Sequence, residues 1–427
     1  MKATHAMVRW LRRTGPVGSL TVALALVNVA FFGCIQWGEG SRWGPRPIET
    51  APPTTQIDRQ IRVRLLGRQP RESFDLSVTS PFAIANTATG ATILPENAAV
   101  ENAAVRPTAA QGIQLGAKTI PAGDILITPV RDASIVINGQ TYRGRLRILR
   151  QNGSLMVVNQ LDIEAYLRGV LRGEIPRSFH LESFKAQCVA ARTYALYQKQ
   201  NAPESKLFDV YDDEGSQMYV GVRGEDTVAD RAVKDTAGEV CTWFNGTASN
   251  IFCTYYSSAC GGLSQPVRNV KPNDPDVPPL RGGVACNDCT NAKFYRWDPV
   301  KFSRAEITKK LLARYPTLKK LGTITDLVPK QLTSDGRIVR LEIIGSGGTK
   351  ETLPGEDFRL AMGGRVVKST NFKIEPTKDG FAFKNGRGFG HGMGLCQYGM
   401  DAKAKRGLDY KQILQTYYPG ALVKKMF

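Results

Sequence analysis

Between Leu161 and Tyr197 the apolar positions recur at the three-and-four spacing of a helix face, twice over. Ile163, Leu167, Val170 and Leu171 line one side of a first amphipathic helix. Glu174 falls on that same side, four residues after Val170 and three after Leu171, where a core residue is expected. A carboxylate there is at least partly desolvated, which disfavours its charged form and raises its pKa toward that of a general acid. Pro176 ends the helix, because it pushes Ile175 out of helical backbone and has no N–H to give. A second helix is predicted from about Leu181 to Gln200, with a narrow small-residue face of Phe184, Cys188, Ala191 and Ala195. Lys185 and Arg192, seven apart, share a face suited to an anionic or hydroxyl-rich ligand. A plainer reading pairs Glu174 with Arg168 or Arg172 in a surface salt bridge.

Period-two alternation predicts strands on either side of this helix pair. Before it come Ile61–Leu66, Ile125–Val130, Ser134–Ile137, Tyr142–Leu149 and Leu155–Val158, with Asn-Gly turns at Asn138-Gly139 and Asn152-Gly153. Residues 83–122 are rich in Ala, Thr and Asn and contain a tandem ENAAV, so they read as a low-complexity exposed insertion. After the pair, a helix is predicted over Val228–Thr236 and strands over Val240–Phe244 and Ile251–Tyr256. A basic helix over Ser303–Tyr315 suggests a small inserted subdomain. It is followed by a strand over Ile338–Ile344, a helix ending near Met362, a strand over Phe381–Lys384, and a last helix capped by Asp409. The fold class is therefore α+β.

With 427 residues and 42% apolar content the chain can bury a sizeable core. Its formal charge of +19 calls for an acidic partner. Nucleic acid is not supported, because the basic residues are dispersed and no recognised binding motif accompanies them. The N-terminus points to the cell envelope instead. Lys2, Arg9, Arg12 and Arg13 precede an uncharged stretch from Thr14 to Gly38 that is long enough to cross a bilayer. The expected organisation is a signal anchor over 1–38, a Pro/Gly-rich linker over 39–57, and one domain over 58–427 outside the cytoplasm. That domain is β-rich over 58–158.

Cys34 falls in the apolar stretch and Cys188 on a helix face, which leaves Cys241, Cys253, Cys260, Cys286, Cys289 and Cys396. Two uses stand open. An exported protein favours disulfides, whereas Cys260, Cys286 and Cys289, with Cys253 as a fourth, can ligate a structural zinc. A zinc hydrolase is a poor fit, since His180 and His391 are the histidines outside the N-terminal tail.

Three separated blocks carry a family resemblance. GEIPRSFHLESFKAQCVAARTYAL resembles the EMP…EALKAQAVAARTYA block of the SpoIID/LytB family of sporulation and cell-wall proteins. SSACGG at Ser257–Gly262 resembles that family's HSTSGG loop, with Ser257 where many relatives have histidine and Cys260 where they have serine. GHGMGLCQYGM resembles GHGVGMSQYGA. The resemblance runs from about Ile61 to the C-terminus and places the catalytic core over 159–427. It implies a lytic transglycosylase that cleaves the N-acetylmuramic acid to N-acetylglucosamine bond of peptidoglycan, with Glu174 as the single acid and base and no required cofactor. It further implies substrate-binding roles for Lys185, Gln187, Arg192, Tyr194, Ser258, Gly261, Gly262, His391, Gly392, Gly394, Gln397 and Tyr398. The LytB-type alternative is a non-catalytic wall-binding protein that modulates a partner amidase.

Overall fold

A computed structural model describes residues 57–427, so the expected anchor and all but the last residue of the linker lie outside the described residues. Among the described residues no helix is long and apolar enough to cross a membrane.

The N-terminal third is two layers of mostly antiparallel sheet. In chain order its strands are β1 (Gln60–Leu65), β2 (Phe74–Val78), β3 (Phe82–Asn86), β4 (Thr92–Asn97), β5 (Val100–Pro107), β6 (Ile113–Leu115), β7 (Lys118–Ile120), β8 (Asp124–Pro129), β9 (Ile135–Ile137), β10 (Gln140–Tyr142), β11 (Arg145–Gln151) and β12 (Ser154–Asp162). One sheet runs β4-β3-β8-β11-β12-β1 and is extended in parallel by β13 (Val210–Tyr211); the other runs β10-β9-β2-β5-β6-β7. Ile61, Val63, Leu76, Ile84, Ile127 and Ile148 are buried in one shared core.

Residues 83–122 are corrected by this arrangement. The expected insertion carries most of β3 and all of β4 through β7, with Phe74 of β2 opposite Val105 of β5. Its small polar residues lie mostly on half-exposed strands, while Ile84, Val105, Ile113, Leu115 and Ile120 are the large apolar residues that face inward. Sparse anchors of that kind suffice for outer strands but leave little periodic signal.

The last strand, β12, leads straight into α1 (Ile163–Glu174), where Asp162 caps the helix by accepting from the Glu164 N–H at 2.9 Å. Ile163, Leu167, Val170 and Leu171 are buried, as the spacing predicts, and so is Tyr166. The next helix, α2 (Leu181–Gln200), is covered nearly all round, as a central core helix must be. It packs against α1, α3 (Thr227–Asp235) and β14 (Glu239–Phe244), and against two later helices, residues 397–405 and 410–417.

At the centre of α2 the Arg192 side chain is completely buried. Its guanidinium donates to both carboxylate oxygens of Glu164 on α1, at 2.9 and 2.6 Å, and to the Glu239 carbonyl at 2.9 Å. Lys185 is paired with Glu182 at 2.9 Å and Asp235 at 3.2 Å. The expected ligand-binding face of Lys185 and Arg192 is thus taken up inside the protein. Periodicity shows which residues share a face and not what covers it.

A second core lies apart from the first. Trp297, Phe302, Leu311, Leu341, Phe358 and Phe383 gather between α4 (Arg304–Arg314), α5 (Gly355–Met362) and short antiparallel sheets, so the inserted subdomain extends over roughly residues 297–384.

Arg192→Met removes one partner of a buried pair and leaves the Glu164 carboxylate uncompensated. Urea unfolding should register a loss of about 3–5 kcal/mol, far more than a surface arginine would cost.

Candidate functional site

The end of α1 presents Glu174 to a ring of polar groups. Its Oε1 accepts from the Met218 backbone N–H at 2.7 Å, and its Oε2 from the Gln397 side chain at 3.3 Å. The Tyr256 hydroxyl lies near enough to favour its charged form as well. Glu174 is half-buried as a residue, and enclosure of its carboxyl group raises its pKa against the lowering effect of those three partners. The plainer reading of Glu174 as a surface ion pair fails. Arg168 bonds Asp230 at 2.7 Å, and Arg172 lies 2.9 Å from Asp226.

The chain reaches Glu174 from the Met218 side because position 173 is glycine. A Cβ there would sit 2.2 Å from the Met218 carbonyl oxygen, so any side chain would push the segment and its N–H away from the carboxylate. Behind this contact, Tyr166 donates to Gln217 Oε1 at 2.9 Å and Gln217 Nε2 donates to the Tyr256 hydroxyl at 2.9 Å. Gln187 is fully buried on α2, accepts from Gln397 at 3.4 Å, and keeps its own Nε2 without a protein partner. Tyr194 stands beside Tyr256 with ring centroids 6.4 Å apart. Among the described residues no second carboxylate hydrogen-bonds to this network. Asp212 and Asp213, which precede Met218 in the chain, supply none: Asp212 accepts from the Leu66 N–H, and Asp213 pairs with Arg68.

The structure therefore gathers Glu174, Gln187, Tyr194 and Gln397. Met218, Tyr256, Gln217 and Tyr166 join them without having been singled out in the sequence. Tyr256 lies immediately before SSACGG, at the end of the expected strand; Gln217 and Met218 carry no pattern of their own.

The glycine-rich block serves mainly to bring two loops together. Here β15 (Ser249–Ile251) stops short, and the chain reaches β16 (Tyr256–Ser257) through a tight turn in which the Tyr255 N–H meets the Cys253 carbonyl at 2.9 Å. The expected continuous strand over Ile251–Tyr256 is broken there. β16 then pairs in parallel with Leu395–Cys396, and Ala259 and Phe389 exchange backbone hydrogen bonds at 3.1 and 2.8 Å. A Cβ on Gly261 would meet the Arg387–Gly388 backbone at 3.1 Å, and one on Gly394 would meet the Tyr255 carbonyl at 2.1 Å. Gly262 has a positive φ and accepts from the Cys286 N–H. Gly392, with φ +75°, lies against the buried Arg337 guanidinium. Ser258 is held through its carbonyl by the Tyr398 N–H at 3.1 Å, and the Tyr398 ring meets Phe179 edge-on. His391 is not bonded to Glu174. Its Nδ1 accepts from the Met393 N–H at 3.0 Å, it packs against Tyr255, and burial brings its pKa down to about 4. The other candidate histidine, His180, caps α2.

The same loops bring four cysteines together. The sulfurs of Cys260, Cys286, Cys289 and Cys396 all lie within 4.8 Å of one another, and all four residues are buried. Cys260 and Cys289 are 3.7 Å apart, too far for a disulfide and close to the ~3.8 Å between sulfurs that tetrahedral Zn–S bonds of about 2.3 Å imply. None of the seven described cysteines is in a disulfide. The expected fourth member, Cys253, lies elsewhere and accepts from Gln198 at 3.5 Å. Cys396 takes its place because the glycine-rich loop folds onto SSACGG, a contact that spacing along the chain does not reveal.

Comparison with known proteins agrees with this geometry. The family model for the stage II sporulation protein SpoIID matches residues 151–243, which span β12, both central helices and β14. A model described as a domain of unknown function (DUF8618) matches residues 284–394. An uncharacterized protein of Brachyspira hyodysenteriae is 34% identical over 288 residues, covering 66% of this chain and 72% of that protein. The stage II sporulation protein D of Bacillus subtilis is 26% identical over 63% of this chain and 76% of its own length. The amidase enhancer of Bacillus subtilis is 27% identical over 60% of this chain but only 39% of its own length. With the helix pair, the SSACGG loop and the glycine-rich loop assembled about one glutamate, the chain belongs to the SpoIID/LytB family.

Proposed function

We propose that this protein is a peptidoglycan lytic transglycosylase acting outside the cytoplasm from an N-terminal anchor. The observation that carries the reading is Glu174, whose enclosed carboxyl group has its pKa raised by burial and accepts from the Met218 N–H and the Gln397 side chain. Two-carboxylate glycosidases need a second acid or base nearby; a transglycosylase can use one group twice. Glu174 protonates the glycosidic oxygen between N-acetylmuramic acid and N-acetylglucosamine, and the bond to the anomeric carbon breaks. The carboxylate left behind takes the proton of the muramyl C6 hydroxyl as that oxygen attacks the anomeric carbon. The product is a 1,6-anhydro end, and Glu174 is returned to its protonated form. Gln397, Gln187 and the Tyr256 hydroxyl orient the carboxyl group, and Tyr194 shapes the wall beside it.

A second reading has its own support. One relative is named an amidase enhancer, so a wall-binding partner of an amidase is the rival. Digestion of purified sacculi with mass analysis of the products separates the two. A transglycosylase releases anhydro-muropeptides, and Glu174→Gln should slow that release by ~10²–10⁴-fold. Release at the parent rate would leave the carboxylate a structural role and favour the rival.

The raised pKa has a stability signature as well. A carboxyl group raised on folding favours the folded state fully below its ordinary value of 4.5. That contribution is lost as pH rises through the folded value. Glu174→Gln should therefore melt higher than the parent at pH 7–8, with the gap closing at pH 4 and below. Equal melting temperatures across the range would mean the carboxyl is not desolvated.

The four-cysteine cluster is proposed as a structural zinc site, since four buried thiols within 4.8 Å of one another suit tetrahedral coordination. Purified protein should hold close to one zinc per chain and lose thermal stability in chelator. Cys396→Ser should lower the bound metal, and Cys253→Ser should leave it unchanged. Metal-free protein of full stability would overturn the assignment.

A further inference from the structure

A concavity of about 460 Å³ opens between the C-terminal end of α2, the β14–β15 hairpin and the Asp274–Leu280 segment. Phe252, Val277 and Leu280 are buried beneath it, and Trp243 and Tyr197 are partly exposed along it. Its rim is built of carboxamides. The Gln200 side chain has no hydrogen-bond partner among the described residues. Asn201 and Asn250 use only their Nδ2 groups, donating to Tyr197 O and Ala248 O, while Asn245 uses only its Oδ1. Acceptors and donors are therefore both left free, side by side with two aromatic rings.

The charge of the cleft is as informative as its shape. In a chain of net charge +19 no lysine or arginine lines it, and Asp274 is the one ionisable carboxylate on its wall. A phosphate or other strongly anionic ligand would meet no cation there, and a purely apolar ligand would bury the amides unpaired. A sugar ring suits both constraints, with an apolar C–H face for an aromatic ring and a rim of hydroxyl and acetamide groups that donate and accept.

The cleft is tied to Glu174 through the backbone and through contact. Cys253 lines it, and Tyr256, whose hydroxyl lies near the Glu174 carboxyl, is three residues further on, a distance of at most roughly 11 Å. Tyr255 between them donates to Asp274 at 2.6 Å and meets Tyr194 edge-on at 6.2 Å. We propose that this cleft is a second subsite that binds hexosamine units of the same glycan strand at a distance from the bond being cut; the proposal rests on the glycan reading of Glu174. Binding energy realised there positions the strand without touching the reacting atoms.

The test is calorimetric titration of the full chain carrying Glu174→Gln, which is expected to cleave ~10²–10⁴-fold more slowly, with peptide-free peptidoglycan strands of eight or more sugars. Adding Trp243→Ala should weaken binding roughly tenfold, the order expected for one aromatic platform. Adding Asn250→Ala, an exposed position, should weaken it severalfold with circular dichroism unchanged; should Trp243→Ala not fold, this variant decides alone. If Glu174→Gln binds strands and both cleft variants bind equally well, the subsite is overturned while the glycan reading stands. If Glu174→Gln binds no strand at all, the glycan reading falls and the subsite with it.

Discussion

A guanidinium with no access to water fixes the centre of this molecule. Arg192 on α2 spans Glu164 on α1 and the carbonyl of Glu239 at the start of β14, so one side chain sets the relation of three elements. A buried charge tolerates little displacement, because any gap leaves an unpaired ion in a low-dielectric interior. The Gly238 N–H adds to the same Glu164 carboxylate at 3.2 Å. Everything that meets Glu174 from within the helix pair inherits its position from this pairing. Glu174 is the last residue of α1, while Gln187 and Tyr194 lie on α2 either side of Arg192.

What reaches Glu174 from elsewhere depends on close backbone approach. Gly173 admits the Met218 N–H, and Gly394 admits the Tyr255 carbonyl, which in turn seats Cys396 and then Gln397. The carboxyl group is thus surrounded by donors that are rigid in the backbone or held by buried side chains. Such a setting can keep a proton on a carboxylic acid and still receive it back, since the donors do not have to reorganise when the charge appears.

Much of this was legible in the sequence, for reasons that differ by residue. Glu174 stood out because an acidic residue interrupts an apolar helix face and Pro176 fixes where the helix stops. Gln187, Tyr194 and Gln397 were reached through the family blocks, and the structure puts all three beside Glu174. Lys185 and Arg192 belong to the same block but are spent on internal ion pairs, since residues retained in a motif can serve packing as readily as binding. The contacts of Met218, Gln217 and Tyr256 arise between segments distant in the chain, so no local periodicity announces them. Cys396 was missed as the fourth member of its cluster on the same ground. Residues 83–122 concealed strands because their inward anchors are few and the remainder is small and polar.

The subdomain with its own aromatic core leaves and rejoins the main body through strands that pair with each other, Arg296 opposite Arg387 and Trp297 opposite Gly386. Seen from the main domain, those two crossing points are no farther apart than the ends of a hairpin, whatever the chain does between them. The entropy of closing such a loop grows only with the logarithm of its length, about 0.6 kcal/mol for each doubling. A unit attached in this manner can be lengthened, shortened or exchanged over evolution while the glutamate and its donors keep their places. Variation among relatives is then cheapest at this stem, and the region matched as a domain of unknown function contains the whole unit.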